Sequence, residues 1–500
     1  MKRVLFASLL LAFLALSVSA NDEIRQRGCR VGTPNPHISA RRFPSLSNGV
    51  NPYIGDRRQL VILVSFQDKD FQDDQITTLQ KWDKIFNAEN YSEDNYIGSI
   101  HDYFMAQSYG KLNLSFDLLF FQLPDERTKY RSNSEDDENS QYMVDDIVDF
   151  LQTQDIDWEQ YDWNDDTYVD QLLIVYAGEG MNASIDMNTI WPHQWWLSWH
   201  KNLETDDPED YRSYRTITSG DKEYIIDCYC CVQESVKTGK TQSSFGTICH
   251  EYSHCFGFPD FYYGSYNVVR EWDIMDHGNY NDYGFRPCNY SAHERMLMGW
   301  LTPIELTEPT VVTDMPALVD EPQAYIIRND AEDNEYYIIE NRQQLGWDEE
   351  LPGCGIVVFH IDYDKALWED VNDYVNNDEV WRYSIIPANN NYDMKENGDW
   401  TYPFFENDSL TNNSLPPASL LHANVDGQLL MSKPITHMSV DENGLASFVF
   451  MGDTATWIPG VQTSMSDAKK SMKFDLSGRR IQHPQKGLYL WNGKTGLWVK

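Results

Sequence analysis

The sequence predicts an α+β protein: a mixed domain of strands and helices, then a β-sandwich-like domain, then a small C-terminal β module. Continuous apolar runs such as RQLVILVSF and QLLIVYAG indicate buried strands. Segments between them, such as MVDDIVDFLQ, have helical spacing. After Pro303, alternating strand-like segments and turns dominate, in QAYIIRN, EYYIIENR, GIVVFHIDY and ASFVFMG.

The chain begins with the pattern of a secretory signal peptide. Residues 1–20 carry two basic residues, an apolar run, and the small residues Val18 and Ala20 before a cleavage point. We therefore predict a secreted or cell-surface protein. No later segment has the roughly 20 consecutive apolar residues of a transmembrane helix. Residues 21–54 are rich in Pro, Ser, Asn and Arg, which predicts a pro-segment or linker.

The remaining chain divides into three parts that differ in their pattern of apolar, polar and turn residues. Residues 55–306 are predicted to form the α+β domain, residues 307–452 the β-rich domain, and residues 453–500 the C-terminal module. In the first part we expect a strand at 58–66, helices at 77–86 and 100–109, and a strand at KLNLSFDL. In the last part we expect three short strands, broken by SGR, QKG and NGK turns.

Charge and cysteine content narrow the class of protein. The formal charge of −39 argues against a nucleic-acid partner, because phosphate binding needs clustered Lys and Arg. The eight cysteines lack the paired CxxC spacing of a zinc ribbon. In an exported chain we expect buried thiols with one or two disulfides, whose pairing the sequence does not specify.

The segment TICHEYSHCFGFPD, residues 247–260, is the strongest indication of chemistry. On a helix, His250 and His254 project from one face and can share one metal ion. Zn²⁺ is suited to two such nitrogens and a third ligand, with one position left open for water. Glu251 can reach that water and act as general base. The alternative is that the motif is accidental and the histidines are core residues.

The continuation of the motif favours the metal site. Gly257 allows the helix to end in a left-handed turn, and Pro259 prevents it from resuming. Asp260 follows ten residues after His250. This is the metzincin layout HExxHxxGxxH, with an aspartate in place of the third histidine, and a carboxylate oxygen is also a zinc ligand.

The segment EWDIMDHGNY supplies the next expected part. Met275 lies where metzincins carry a methionine beneath the metal, although a core methionine is the plainer interpretation. His277 could polarise the scissile carbonyl or stabilise the oxyanion, or it could be an ordinary surface histidine. Tyr280 and Tyr283 are alternatives for the same task.

These segments resemble the immune inhibitor A family of secreted zinc metallopeptidases. The metal-binding segment is similar in GTICHEYSHCFGFPDFYY, and further segments occur in the same order: RRQLVILVSFQDKDF, SIHDYFMAQSYGKLNLSFDL, YDWNDDTYVDQLLIVYAG, IWPHQWW, SAHERMLMGWL and YYIIENRQQLGWDEELPGCGIVVFHID. The resemblance extends over about residues 58 to 450. It implies a zincin fold, hydrolysis of peptide bonds and one catalytic zinc. His250, His254 and Asp260 would be ligands and Glu251 the base, with a later glutamate as the alternative third ligand.

A second metal site is suggested by DWNDDTYVD. The side chains of Asp162, Asn164, Asp166 and Asp170, with the carbonyl of Tyr168, occupy positions 1, 3, 5, 9 and 7 of an EF-hand loop. Position 6 is not glycine and position 12 is not glutamate, so the motif is incomplete. A looser calcium loop and a solvated acidic turn are both open.

The last residues, FDLSGRRIQHPQKGLYLWNGKTGLWVK, resemble the C-terminal sorting modules of exported Bacteroidota proteins. That resemblance implies export or sorting machinery as a partner. A small β-hairpin cap is the alternative.

The sequence therefore predicts a secreted zinc endopeptidase that acts on a protein or peptide substrate. The alternative from another class is a catalytically silent zincin scaffold that serves as a surface adhesin or glycan-binding protein. The segment WPHQWWLSWH has four tryptophans that could stack on sugars, or could simply pack.

Overall fold

The computed structural model describes residues 51–131, 139–182, 189–202, 205, 207, 210–235, 243–263, 267–369, 375–377, 379–392 and 402–452, with the backbone of four short strands after residue 472. The predicted signal peptide and nearly all of the predicted pro-segment, including Cys29, lie outside these residues. The described residues up to Met451 belong to one compact unit, and those from Gly452 onwards belong to another. The predicted boundary at residue 306 stays a prediction.

The first unit contains seven described α-helices and seventeen strands. The helices are α1 (Gln75–Asn87), α2 (Ile100–Gln107), α3 (Arg127–Tyr130), α4 (Ser140–Leu151), α5 (Phe245–Cys255), α6 (Ala292–Leu297) and α7 (Lys365–Trp368). The strands up to residue 306 are β1 (Gly55–Ser65), β2 (Leu112–Gln122), β3 (Tyr168–Val169), β4 (Leu172–Glu179), β5 (His193–Trp196), β6 (Arg215–Ser219), β7 (Lys222–Ile226), β8 (Cys228–Ser235) and β9 (Ile304–Glu305).

A five-stranded sheet with the order β2-β1-β4-β8-β5 forms the base of the predicted catalytic domain. Its first four strands are parallel, and β5 pairs antiparallel with β8 at one edge. Both faces are covered, which explains the continuous apolar runs in the sequence. In β1, Val61 and Leu63 face the cluster that contains α1, α2 and α5, whereas Ile62 faces the cluster with α4.

The segment after residue 306 is built from strands, as the sequence predicts. They are β10 (Thr310–Met315), β11 (Tyr325–Arg328), β12 (Glu335–Arg342), β13 (Gly355–Asp362), β14 (Tyr383–Ile385), β15 (Glu406–Leu410), β16 (Ile435–Val440) and β17 (Ala446–Phe450). They form two sheets, β14-β13-β12-β11-β9 and β10-β17-β16-β15. Strands of both sheets contribute to one apolar cluster. The β-sandwich arrangement itself stays a prediction.

One strand of this β-rich segment also shows how the two regions pack. In β12, Ile339 contributes to the cluster between the two later sheets, while Ile338 contributes to the large cluster that contains α5. Alternate side chains of a strand point to opposite faces, so one sheet serves two cores. The β-rich segment therefore packs directly against the core that contains α5, the helix with the predicted metal ligands.

The described residues of the C-terminal unit form four strands rather than the three that we expected. They are β18 (Lys473–Phe474), β19 (Arg480–Ile481), β20 (Gly487–Trp491) and β21 (Lys494–Trp498), in the antiparallel order β19-β18-β20-β21. The expectation was wrong because three turns in succession connect four strands, and the two-residue strands are too short to show alternation.

The expected disulfides are not present among the described cysteines. Cys230, Cys249 and Cys288 are buried in the large apolar cluster, and Cys231 is buried in the cluster on the other face of the sheet. A free cysteine in such surroundings behaves as a small apolar side chain. Burial also raises the pKa of the Cys249 thiol well above its usual value.

Candidate metal centre

Helix α5 carries the histidines and is buried against the sheet. Ile248 and Tyr252 belong to the large apolar cluster, so they fix the rotation of the helix. His250 is only 3% exposed. Gly257 follows the helix with φ +104°, and its N–H donates to the carbonyl of His254 at 2.9 Å. The helix therefore stops where the sequence predicts, and the chain turns back towards the two imidazoles.

Both imidazoles are oriented by backbone carbonyl groups. The Nδ1 atom of His250 lies 2.7 Å from the carbonyl oxygen of Ile274. The Nδ1 atom of His254 lies 2.7 Å from the carbonyl oxygen of Phe258. Because a carbonyl only accepts, Nδ1 carries the proton in each ring, and Nε2 of a neutral ring keeps its lone pair for a ligand.

Asp260 completes the cluster. Its Oδ1 atom lies 3.4 Å from Nε2 of His250 and 3.2 Å from Nε2 of His254. The three ligand atoms all lie within 4.8 Å of one another. In a tetrahedral zinc site with bonds near 2.0–2.1 Å, neighbouring ligand atoms are about 3.3 Å apart. The spacing of these side chains therefore fits a zinc ion.

The electrostatics of the cluster call for a positive charge. Burial tends to lower the pKa of His250, but the adjacent carboxylates of Asp260 and Glu251 raise it to about 9. Burial likewise opposes ionisation of Asp260, yet His254 and His250 hold its pKa well below its usual range. A buried carboxylate between two imidazoles thus requires a proton or a metal cation for compensation.

Two atoms of the cluster favour a bound metal ion over a network in which the side chains satisfy one another by hydrogen bonds. Nε2 of His254 and Oδ1 of Asp260 are buried and have no hydrogen-bond partner within the described part of the chain. Buried polar atoms are normally paired, so such atoms need an explanation. A shared cation provides one, and this cluster is the only group of three His, Cys, Asp or Glu side chains with such spacing among the described residues.

Glu251 follows the first histidine on the same helix. It is 2% exposed, so its carboxyl group lies inside the protein beside the cluster rather than in bulk water. A carboxylate in this position is suited to accept a proton from water at the cluster.

Met275 lies in a buried turn, as the sequence predicts. The N–H of Met275 donates to Oδ1 of Asp273 at 2.8 Å, and its side chain is fully buried. The preceding carbonyl, that of Ile274, is the one that orients His250. The turn therefore contacts helix α5 directly.

The other candidates of this region are more exposed. The side chain of His277 is 34% exposed, its Nδ1 atom lies 3.9 Å from Oε1 of Glu271, and its ring packs against Tyr280. Tyr280 and Tyr283 are 39% and 67% exposed. The catalytic role of His277 stays a prediction.

The acidic loop gives no support to the predicted calcium site. The carboxylate of Asp162 accepts the backbone N–H groups of Asp166 and Thr167, and Asp166 accepts that of Tyr168. Asp170 accepts the N–H of Trp163, and burial beside Asp166 and Asp162 raises its pKa to about 8. The carboxylates stabilise the loop itself, and calcium binding, including a contribution from Asn164, stays a prediction.

Two of the four tryptophans in WPHQWWLSWH are core residues. Trp195 and Trp199 are 3% and 1% exposed, and they pack edge to face at a centroid distance of 5.6 Å. Side chains buried in this way cannot stack on a sugar. This geometry favours a packing role over sugar binding for these two of the four tryptophans.

An α+β domain with two imidazoles and a carboxylate gathered beside a buried glutamate is typical of a metallopeptidase. Residues 53–298 match the model of the immune inhibitor A peptidase M6 catalytic domain, and the chain belongs through this domain to the immune inhibitor A peptidase family. The match ends at residue 298, so the family resemblance of the following residues, to about 450, stays a prediction. A search of curated proteins finds no match. Among the described helices, none combines the length and apolarity needed to cross a bilayer.

Sequence reasoning missed the groups that orient the imidazoles. The carbonyls of Ile274 and Phe258 are backbone atoms, which leave no signal in residue type. It also missed the residues of the β-rich segment that contact the turn of Met275. No motif marks them, because they lie more than a hundred residues away in the chain.

Proposed function

We propose that this protein is a secreted zinc-dependent endopeptidase. The convergence of Nε2 of His250, Nε2 of His254 and Oδ1 of Asp260 supports this proposal most strongly. The membership in a peptidase family supports a protein or peptide substrate. The signal-like residues 1–20 support secretion.

In this mechanism His250, His254 and Asp260 would hold the zinc ion. When bound, zinc supplies Lewis-acid polarisation of a peptide carbonyl and favours deprotonation of water. The carboxylate of Glu251 removes a proton from the attacking water and then delivers it to the nitrogen of the leaving amine. The carbonyls of Ile274 and Phe258 keep both imidazoles in the tautomer that presents Nε2. His277 is proposed to stabilise the developing oxyanion.

The role of Glu251 can be tested with Glu251→Gln, which keeps the size of the side chain but removes its basicity. We expect about one zinc per chain, and hydrolysis of a quenched casein substrate at least about 100-fold slower than in the unchanged protein, since general acid–base catalysis is worth that much. Zinc is counted by atomic absorption on the same samples.

The matched control is Glu89→Gln, because Glu89 is exposed in the turn just after α1. We expect this variant to retain both zinc and activity. Equal activity of the Glu251→Gln variant and the unchanged protein would contradict the proposed mechanism, and the absence of zinc from all three proteins would contradict the proposed cofactor.

A further inference from the structure

Two residues of the β-rich segment contact the metal-binding region from outside the matched peptidase domain. Tyr383 begins β14, and Asn376 precedes it in the chain. Both are buried, with 0% exposure. They contact two different backbone segments, one next to the ligand Asp260 and the other next to the carbonyl that orients His250.

The first contact is with the turn of Met275. The hydroxyl group of Tyr383 donates to Oδ2 of Asp273 at 2.8 Å. The other carboxylate oxygen of Asp273 accepts the N–H of Met275 at 2.8 Å. Ile274 lies between these two residues, and its carbonyl accepts from Nδ1 of His250 at 2.7 Å. The hydroxyl group of Tyr383 thus fixes the carboxylate of Asp273, which shapes the turn. That turn orients the imidazole of His250.

The second contact is with the segment after Asp260. The ring of Phe261 stacks on the ring of Tyr383 with a centroid distance of 3.9 Å and an interplanar angle of 26°. The carbonyl of Phe261 accepts from the side-chain amide of Asn376 at 2.7 Å. The N–H of Phe261 donates to the carbonyl of Met275 at 2.9 Å. The residue next to the ligand Asp260 is therefore fixed from three directions.

Tyr383 and Asn376 are also bonded to each other. The side-chain amide of Asn376 donates to the carbonyl of Tyr383 at 2.9 Å, and its oxygen accepts the N–H of Tyr383 at 3.0 Å. The two residues act as one buried unit. A rigid support of this kind is what a metal site needs to keep its ligands at a fixed distance.

We infer that Tyr383 is a positioning residue for the zinc site, acting through Asp273 on His250 and through Phe261 on Asp260. This inference rests on the proposed zinc peptidase function. It implies that the β-rich segment is part of the metal centre rather than an independent appendage. Groups that orient metal ligands typically change metal affinity or activity by about 10- to 100-fold when they are removed.

The test is Tyr383→Phe in the full chain, since phenylalanine keeps the ring stack on Phe261 and removes only the hydroxyl group. We expect zinc binding about 10- to 100-fold weaker, by competition with a chelator, and a lower kcat with little change in KM. The control is Tyr337→Phe, because Tyr337 is also buried, in β12, but its hydroxyl group donates to the carbonyl of Ser419. We expect the control to match the unchanged protein in zinc affinity and kcat.

Unchanged zinc affinity and kcat in Tyr383→Phe would overturn the inference. So would equal losses in both variants that follow a loss of thermal stability, because the effect would then be general. Should Tyr383→Phe be insoluble, Asp273→Asn tests the same chain of contacts with the same expected loss of zinc affinity. Failure of the unchanged protein to bind zinc would refute the proposed function instead, so the two failures are distinguishable.

Discussion

Asp260 is distinguished from the other acidic residues of this chain by its surroundings. The chain has 78 acidic residues, but among the described ones only Asp260 lies with two histidines at ligand spacing. Its side chain is 11% exposed. Such burial makes an isolated carboxylate costly, so the site is unfavourable without a compensating cation. At the scale of the residue, the environment rather than the residue type makes Asp260 a ligand candidate.

A second residue, His293 in α6, makes the stability of the fold depend on pH. Its Nε2 atom is buried and has no hydrogen-bond partner within the described residues, and burial lowers its pKa to about 3. Its ring lies among those of Tyr336, Trp368 and Tyr383. Below about pH 6.5 the unfolded chain binds a proton that the folded protein does not. The free energy of unfolding therefore falls by about 1.4 kcal/mol per pH unit between pH 6.5 and 3.

The variant His293→Leu isolates this effect, because leucine fills the site without a titratable group. From pH 6.5 to pH 5, we expect the unchanged protein to lose about 2 kcal/mol more stability than this variant, measured by urea unfolding. His422→Leu is the control, since its side chain is 50% exposed, and we expect it to follow the unchanged protein. Parallel pH profiles for His293→Leu and the unchanged protein would show that this histidine does not control acid stability.

At the scale of the element, helix α5 depends on a close backbone approach. A Cβ atom on Gly246 would lie 1.9 Å from the carbonyl oxygen of Asn279, in the 3₁₀ segment Gly278–Gly284. Glycine normally weakens a helix by about 1 kcal/mol relative to alanine. Here the steric cost exceeds that gain, because the obstructing atom belongs to the backbone and cannot rotate away.

We therefore expect Gly246→Ala to lower the free energy of unfolding by about 2 kcal/mol or more, and to reduce zinc content by displacing the helix. Thermal unfolding and metal analysis measure the two effects. Gly353→Ala is the matched control, because its Cβ atom would meet only ordinary contacts, at 3.8 and 3.9 Å. Equal stability of the two alanine variants would argue against this close contact.

The elements differ in how far their sequence predicts them. The end of α5 follows from Gly257 and Pro259, whose conformational preferences are local. The strand β12 matches its apolar segment from Glu335 to Arg342 because both faces are buried. The expected disulfides were mispredicted, since pairing depends on which thiols the fold brings into bonding geometry, and spacing along the chain does not specify that.

At the scale of the whole molecule, a buried charged network joins the peptidase domain to the β-rich segment. Arg342 in β12 is 0% exposed and contacts Glu340 at 3.0 Å and Asp348 at 2.7 Å. It also donates to the carbonyls of Trp272 and Asn289 in the peptidase domain. Because these contacts are buried, the two regions should unfold together.

We expect Arg342→Leu to lower the free energy of unfolding by about 3 to 5 kcal/mol, because it leaves two buried carboxylates without their partner. Unfolding in urea, followed by tryptophan fluorescence and circular dichroism, should show one transition with a lower midpoint. Arg328→Leu is the control: its ion pair with Glu305 is partly exposed and should be worth at most about 1 kcal/mol. A comparable small loss in both variants, or two separate transitions, would refute this coupling.

The sequence by itself determined the α+β class, the helix of the candidate metal site and the spacing of His250, Glu251, His254 and Asp260. These features depend on helical periodicity and on the turn preferences of Gly257 and Pro259, which act over a few residues. A reader of the sequence alone can therefore identify the candidate ligands.

Only the tertiary structure decided how those ligands are held. The carbonyl of Ile274 lies 24 residues from His250, and Tyr383 lies 110 residues from Asp273. Contacts over such separations arise from the packing of the β-rich segment against the core of α5, and neither backbone carbonyls nor buried tyrosines carry a local signature. The physical reason is that the whole fold brings the partners of such hydrogen bonds together, whereas residues adjacent in the sequence do not specify them.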